Sequence, residues 1–226
     1  MHQRWEKLLF LHWTLSPEAL QPTLPCGLTI HTYEGEAFVG LSPFFMRNVR
    51  PPLLPSLPLV SNFQELNVRT YVKDRSGVPG IWFYSLDCNQ PLTVLGARLW
   101  VGLPYYRAEM AASQNREIDY RSRREATSEW ACYCYRPIGP ARETQSGTLE
   151  FFLLERYFLY ARRGESGPLL RLQVKHESYR FGDVHVEKWS DAPLRQDGLI
   201  AAETAPVQQC FVQGFDVKVY GAEKVL

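Results

Sequence analysis

Residues Glu65–Val72 alternate without a break: Leu66, Val68, Thr70 and Val72 fall on one side of an extended chain, and Glu65, Asn67, Arg69 and Tyr71 on the other. A period of two cannot be buried by a helix, so the segment belongs to a sheet with one apolar face. Further β-branched and aromatic runs recur at short spacing. Trp5–Thr14, Ile81–Leu86, Tyr105–Ala112, Glu117–Glu125, Glu129–Arg136, Phe158–Ala161, Leu169–His176, Val207–Val212 and Val217–Tyr220 each read as a strand. Leu28–Tyr33 and Ala37–Leu41 read as a hairpin around Glu34-Gly35-Glu36. About ten or eleven strands joined mainly by tight turns predict a mostly β, β-rich α+β chain folded as an antiparallel barrel or sandwich. The regular βα alternation that a parallel sheet requires is missing.

Helical signals are few. In Gly80–Met110 a strand runs into a polar turn where Asp87 or Asn89 can cap a helix, with Pro91 at its first position. Leu92, Leu95 and Leu99 share one stripe, which predicts a core-facing helix, and Gly102 with Pro104 stops it. A second helix starts near Gly147-Thr148, with Leu149, Phe152, Leu153 and Tyr157 at helical spacing. About two packed helices are therefore expected to cap or plug the sheet. Asn48–Leu59 carries Pro51, Pro52, Pro55 and Pro58 and reads as an irregular loop, a candidate lid or rim.

The 226 residues are expected to form a single domain, 1–226. No run approaches the roughly 20 apolar residues of a membrane span. Leu8–Leu11 is too short for a signal-peptide core, so a cytoplasmic location is expected. A net charge of +1 gives no field for nucleic acid or an anionic membrane. Arg116, Arg121, Arg123 and Arg124 cluster but are interleaved with Glu117, Asp119 and Glu125, the pattern of a solvated hairpin. Five cysteines, odd in number and without a CxxC or zinc-finger spacing, predict reduced thiols and no metal. GxSxG, the phosphate loop, HExxH and the dinucleotide GxGxxG are all absent, and no cofactor is expected.

Four constellations can carry chemistry. The row Glu65, Asn67, Arg69, Tyr71 becomes a binding wall if it faces a closed interior, where Arg69 can clamp a carboxylate; on an outer face it is only solvated. His176 ends an apolar stripe and either reaches a cavity or sits satisfied in the core. Tyr105, Tyr106 and Arg107 follow the helix stop, where side chains project into a site or pack. The arginine cluster is the fourth.

Several of these segments together resemble the uncharacterised YqjF-like family, a domain of unknown function. They are Leu24-Pro-Cys-Gly-Leu28, Gly40-Leu-Ser-Pro-Phe44 with Arg50-Pro51, Phe63–Val72, Gly80–Asp87, Leu103–Met110 and Gly147–Ala161. That family is distantly similar to acetoacetate decarboxylase, which implies an antiparallel β-barrel or cone enclosing a small pocket. The enzyme's lysine forms a Schiff base with a β-keto acid, its amine activated by burial and adjacent positive charge. Its Pro-Lys-Lys corresponds to Pro104-Tyr105-Tyr106, so both lysines are tyrosines, and imine-based decarboxylation is not expected. Glu65 matches an active-site glutamate. Constellations and resemblance together give Glu65, Tyr105 and Tyr106 as catalytic candidates, and the constellations give Asn67, Arg69, Arg107 and His176 as ligand-binding candidates. The expected activity is binding or transforming a small organic acid or carbonyl compound. A non-catalytic binder or sensor and a partner-binding β domain are the alternatives. The expected partner is a small molecule, with no nucleic acid and no membrane; a homo-oligomer stays open.

Overall fold

Leu8, Leu9, Phe10 and Leu11 are consecutive apolar residues on an extended chain, so both faces of that segment need apolar cover. The computed structural model, which describes residues 1–51, 55–57, 60–164, 166–199 and 205–225, shows how the cover is provided. The strands are β1 (His2–Leu15), β2 (Leu28–Ile30), β3 (Ala37–Arg50), β4 (Phe63–Asp74), β5 (Pro79–Cys88), β6 (Tyr105–Gln114), β7 (Ile118–Arg124), β8 (Ala131–Glu143), β9 (Phe158–Arg162), β10 (Leu169–Lys175), β11 (Arg180–Lys188) and β12 (Gln208–Lys224). Among the described residues four α-helices accompany them: α1 (Pro17–Leu20), α2 (Pro91–Trp100), α3 (Leu149–Leu154) and α4 (Ala192–Gln196).

All twelve strands join one sheet in the order β10-β9-β5-β6-β7-β8-β11-β12-β1-β3-β4-β2, and the pairings β4–β5 and β10–β12 close it on itself. Two rings result, sharing β1, β3, β4, β5 and β12. One adds β6, β7, β8 and β11; the other adds β9 and β10. The first is filled by Leu9, Leu11, Trp13, Leu66, Val68, Tyr120, Tyr133 and Phe211, with α4 contributing Leu194. The opposite faces of the shared strands send Leu8, Phe10, Phe44 and Phe83 toward the second. The architecture is mostly β, as expected. Pairing is antiparallel except β5–β6 and β5–β9, where connections carrying α2 and later elements bring strands back in parallel.

Several elements differ from the sequence expectation. The turn at Glu34-Gly35 is present, closed by a Tyr33–Glu36 bridge, but β2 does not pair with β3. Both edges of β3 are taken by β1 and β4, so β2 continues along β4 where β3 leaves off: Val39 opposes Thr70, and Ile30 opposes Val72. β11 was absent from the sequence reading because bulges between Phe181 and Asp183 and between Val186 and Lys188 break its alternation. The two C-terminal strands are one. Gly214, at φ +145°, carries β12 through a kink where a Cβ would lie 2.6 Å from the Trp5 carbonyl oxygen. The proline-rich loop falls partly outside the described residues; β3 extends to Arg50.

The largest correction concerns α2. Leu92, Leu95 and Leu99 face solvent, with 64%, 56% and 67% of their surface exposed, and Val94 is the buried residue. Half-buried Thr93 and Ala97, with exposed Gly96 at the edge, border the space inside the second ring. Gln90, not Asp87 or Asn89, caps it by accepting the Leu92 N–H. Gly102, at φ +75°, ends it by donating to the Ala97 and Arg98 carbonyls.

Arg124 is also not part of a solvated cluster. It is buried, donates to Asp87 at 2.5 Å and to Asp197 at 2.7 Å, and bonds Ser85, tying β7 to β5 and to the segment after α4. Removing one member of a buried ion pair strands the others. Arg124→Met is expected to lower the unfolding free energy by about 3–5 kcal/mol in urea titration; a change below about 1 kcal/mol would show that the cluster contributes little.

Candidate functional site

Because β4 alternates, Leu66 and Val68 enter the solid core while Glu65, Asn67 and Arg69 point the other way, into the second ring. That ring is not filled. It encloses a cavity of about 400 Å³, walled by Gln3 and Trp5 of β1, Phe44 and Met46 of β3, Ile81 and Phe83 of β5, and Leu172 and Val174 of β10. The volume falls near the lower end of the roughly 300–1,000 Å³ typical of small-molecule sites. The polar face of β4 is thus a buried wall.

Glu65, only 4% exposed, is the sole acidic residue lining the cavity among those described. Its Oε2 accepts a 2.7 Å hydrogen bond from the Tyr105 hydroxyl. Tyr105 opens β6 and is set opposite Leu86 by the α2 crossover. Burial pushes the Glu65 pKa up from 4.5 to about 7, against the opposing pull of the Tyr105 bond. Burial, then the Glu65 charge, hold the Tyr105 phenol well above its usual range, so it stays a neutral donor. A carboxyl that titrates near neutrality beside a fixed donor can give or take a proton in place.

Two buried guanidiniums share the cavity. Arg69, 5% exposed, lies over the Phe10 ring at 4.7 Å, and its Nε and Nη2 have no hydrogen-bond partner among the described residues. Gly40 makes room for it, since a Cβ there would sit 3.4 Å from Arg69 Cγ and 3.0 Å from the His12 ring. Tyr71 stands between Arg69 and His12, whose Nε2 is 2.7 Å from the Tyr71 hydroxyl and whose Nδ1 is 2.6 Å from Gln208 Oε1. Burial, then the Arg69 charge, lowers the His12 pKa to about 3, so it adds no positive charge at neutral pH. Arg156, 7% exposed, follows α3 and lies 4.3 Å over Phe152 and 5.4 Å over Tyr71. Its Nε and Nη2 are likewise without partners. Burial, and secondarily the Arg69 charge, lowers its pKa to about 10, so it remains a cation at neutral pH. The adjacent Glu155 does not neutralise it: that carboxylate accepts from Thr144 at 2.7 Å, from the Tyr179 N–H at 2.8 Å and from the Tyr157 hydroxyl.

Glu65, Asn67, Arg69 and Tyr105 therefore come together, and the Asn67 Oδ1 is also an unpartnered buried atom. Three other candidates do not join them. Tyr106 points to the opposite face of β6 from Tyr105, exposed, between the guanidiniums of Arg98 and Arg124. Arg107 forms an exposed ion pair with Glu125 at 2.8 Å. His176 lies just past β10, stacked on Tyr157 and bonded to the Glu177 and Arg156 carbonyl oxygens; it lines a separate outer cleft. Arg156 and Tyr179, which do line the cavity, were missed. Each stands in an irregular segment, after α3 and before β11 respectively, where no periodicity marks a direction. None of the six lysines is among the cavity-lining residues.

Elsewhere, Cys134, Glu117 and Glu187 bring three ligand-type atoms within 4.8 Å of one another on the outer surface. Burial and the carboxylates that accept its S–H push the Cys134 thiol up to about 12, so the group is a protonated thiol between two acceptors. All five cysteines are free. No helix among the described residues is long and apolar enough to cross a membrane.

The model of the DUF2071 family, described as uncharacterized conserved proteins, matches residues 2–215. The uncharacterized protein YqjF of Bacillus subtilis (strain 168) is 41% identical over 191 residues, 84% of this chain and 74% of that protein. Among solved structures, the enduracididine biosynthesis enzyme MppR complexed with pyruvate aligns with a TM-score of 0.66 at 13% identity, covering 99% of this chain and 89% of that one. The acetoacetate decarboxylase of Legionella pneumophila gives a TM-score of 0.67 at 15% identity, covering 99% and 87%. An acetoacetate decarboxylase-like enzyme from Sphingomonas wittichii RW1 gives 0.64 at 12%, covering 99% and 92%. At such identities the likeness is one of fold. The chain belongs to the DUF2071 family and has the acetoacetate decarboxylase-like fold.

Proposed function

We propose that the chain, folded as one domain over residues 1–226, binds a small organic acid or oxo acid in this cavity and does not use a Schiff base. The observation that carries the reading is the pair of buried guanidiniums, Arg69 and Arg156, whose Nε and Nη2 have no acceptor among the described residues. A buried cation without a partner is costly, and a ligand carboxylate relieves two at once through charge-assisted hydrogen bonds. Glu65, neutral below its pKa of about 7, does not repel such an anion. With the acid clamped, the Glu65–Tyr105 pair is the group available to exchange a proton with, or donate a hydrogen bond to, a carbonyl on the ligand. Pyruvate in the MppR complex is an acid of this class. The absence of a cavity lysine favours a second reading, in which the same residues only recognise the acid.

Arg156→Met removes an unpaired buried charge, so the ligand-free variant is expected to be as stable as wild type or up to about 1 kcal/mol more stable. Calorimetric binding of 2-oxobutanoate should weaken by about 10- to 100-fold, the loss of a charged hydrogen bond. Unchanged affinity would sink the acid-clamp assignment. Acetoacetate with borohydride is expected to leave the mass of the chain unaltered; a reduced adduct on any lysine would establish imine chemistry after all.

Glu65 gives a pH prediction. Its folded-state pKa of about 7 lies above the ordinary 4.5, so between those values the folded chain holds a proton that the unfolded chain has released. Stability therefore falls as pH rises through this window, by about 1.4 kcal/mol per pH unit, and levels off above it. Glu65→Gln cannot ionise and is expected to gain about 2–3 kcal/mol relative to wild type between roughly pH 4.5 and 7.5 in urea titration. A constant difference across that range would show that Glu65 ionises normally.

A further inference from the structure

Beside the acid-binding groups, Trp5, Phe44, Met46, Phe158 and Leu172 line the cavity and offer no charged group. α2 borders the same cavity with Thr93, Gly96, Ala97 and Trp100, at three- and four-residue spacing, Gly96 and Trp100 standing exposed at its rim. Gly96 stands in the middle of that ten-residue helix, where glycine is the poorest helix former after proline. Nothing in the backbone asks for it. A Cβ built at Gly96 meets no heavy atom within 4 Å, and its φ is not in the left-handed region. What the missing side chain leaves is open space at the exposed rim of the cavity. With Ala97 and Thr93 beside it, this rim stays open above a chamber larger than a small acid's own head group requires.

We propose that the ligand is a carboxylic acid with a substantial apolar body, a medium-chain or aromatic acyl group, and that Gly96 is the residue that sets how large that body can be. The carboxylate sits at Arg69 and Arg156, and the body extends toward α2 against Trp5, Phe44 and Phe158. The proposal rests on the acid-binding reading above and adds the chemical class of the remainder of the molecule. It does not require that the ligand be transformed.

Calorimetric titration of the full chain with acetate, butanoate, hexanoate, octanoate and 3-phenylpropanoate, and with 1-octanol as the uncharged control, tests it. Affinity is expected to rise about fourfold per added methylene until the chamber is full. Gly96→Leu places a good helix former at an exposed helix position and should fold. It is expected to weaken octanoate and 3-phenylpropanoate at least tenfold more than it weakens butanoate, with Gly96→Ala between. Equal affinity across the series, lost in Arg156→Met and indifferent to Gly96→Leu, would overturn the apolar-body proposal and leave the acid clamp standing. Octanol binding as tightly as octanoate would instead remove the acid clamp, and no binding of any carboxylate would remove both.

Discussion

One strand, β4, serves two interiors. Its even-numbered side chains Leu66 and Val68 complete a solid core of leucines, tyrosines and tryptophan, while Glu65, Asn67 and Arg69 look into a chamber the other ring leaves open. Strands buried on both faces ordinarily read as continuous apolar runs. β1 does, through Leu8–Leu11. β4 does not, and the exception locates the chamber: a polar face on a strand with neighbours on both edges and cover on both sides has nowhere to go except an internal cavity.

The electrostatics of that chamber follow from the same placement. Burial raises Glu65 toward neutrality and lowers Arg156, yet leaves the guanidinium charged. The carboxylate next to Arg156 in the chain is committed elsewhere: Glu155 accepts from Thr144, Tyr157 and the Tyr179 backbone. The result is an interior with two cations, one acid held protonated below about pH 7, and a phenol donor beside it. Such an arrangement suits an anionic guest.

The β class was legible from period-two runs, and so was the grouping of Glu65, Asn67 and Arg69, because alternation on one strand fixes which residues share a face. Elements whose period is interrupted were not legible: β11 is bulged twice and β12 is kinked at Gly214. Spacing also misplaced the leucines of α2. A stripe shows that three side chains share a helix face, not that the face is inward, and here the small residues on the other side border the chamber. The resemblance correctly implied the fold, and it drew attention to Tyr105 and Tyr106. Only Tyr105 turns inward, since successive strand residues point to opposite faces. Arg156 carried no signal because the irregular segment after α3 has no period to read.

The central claim is that Arg69 and Arg156 form a carboxylate site completed by the ligand. A crystal structure grown with 2-oxobutanoate tests it most directly. The account predicts the ligand's carboxylate oxygens within about 3 Å of unpartnered guanidinium nitrogens of both arginines, with Glu65 and Tyr105 toward its oxo group. A carboxylate bound elsewhere on the chain, or a cavity in which both guanidiniums are satisfied by protein groups alone, would contradict it.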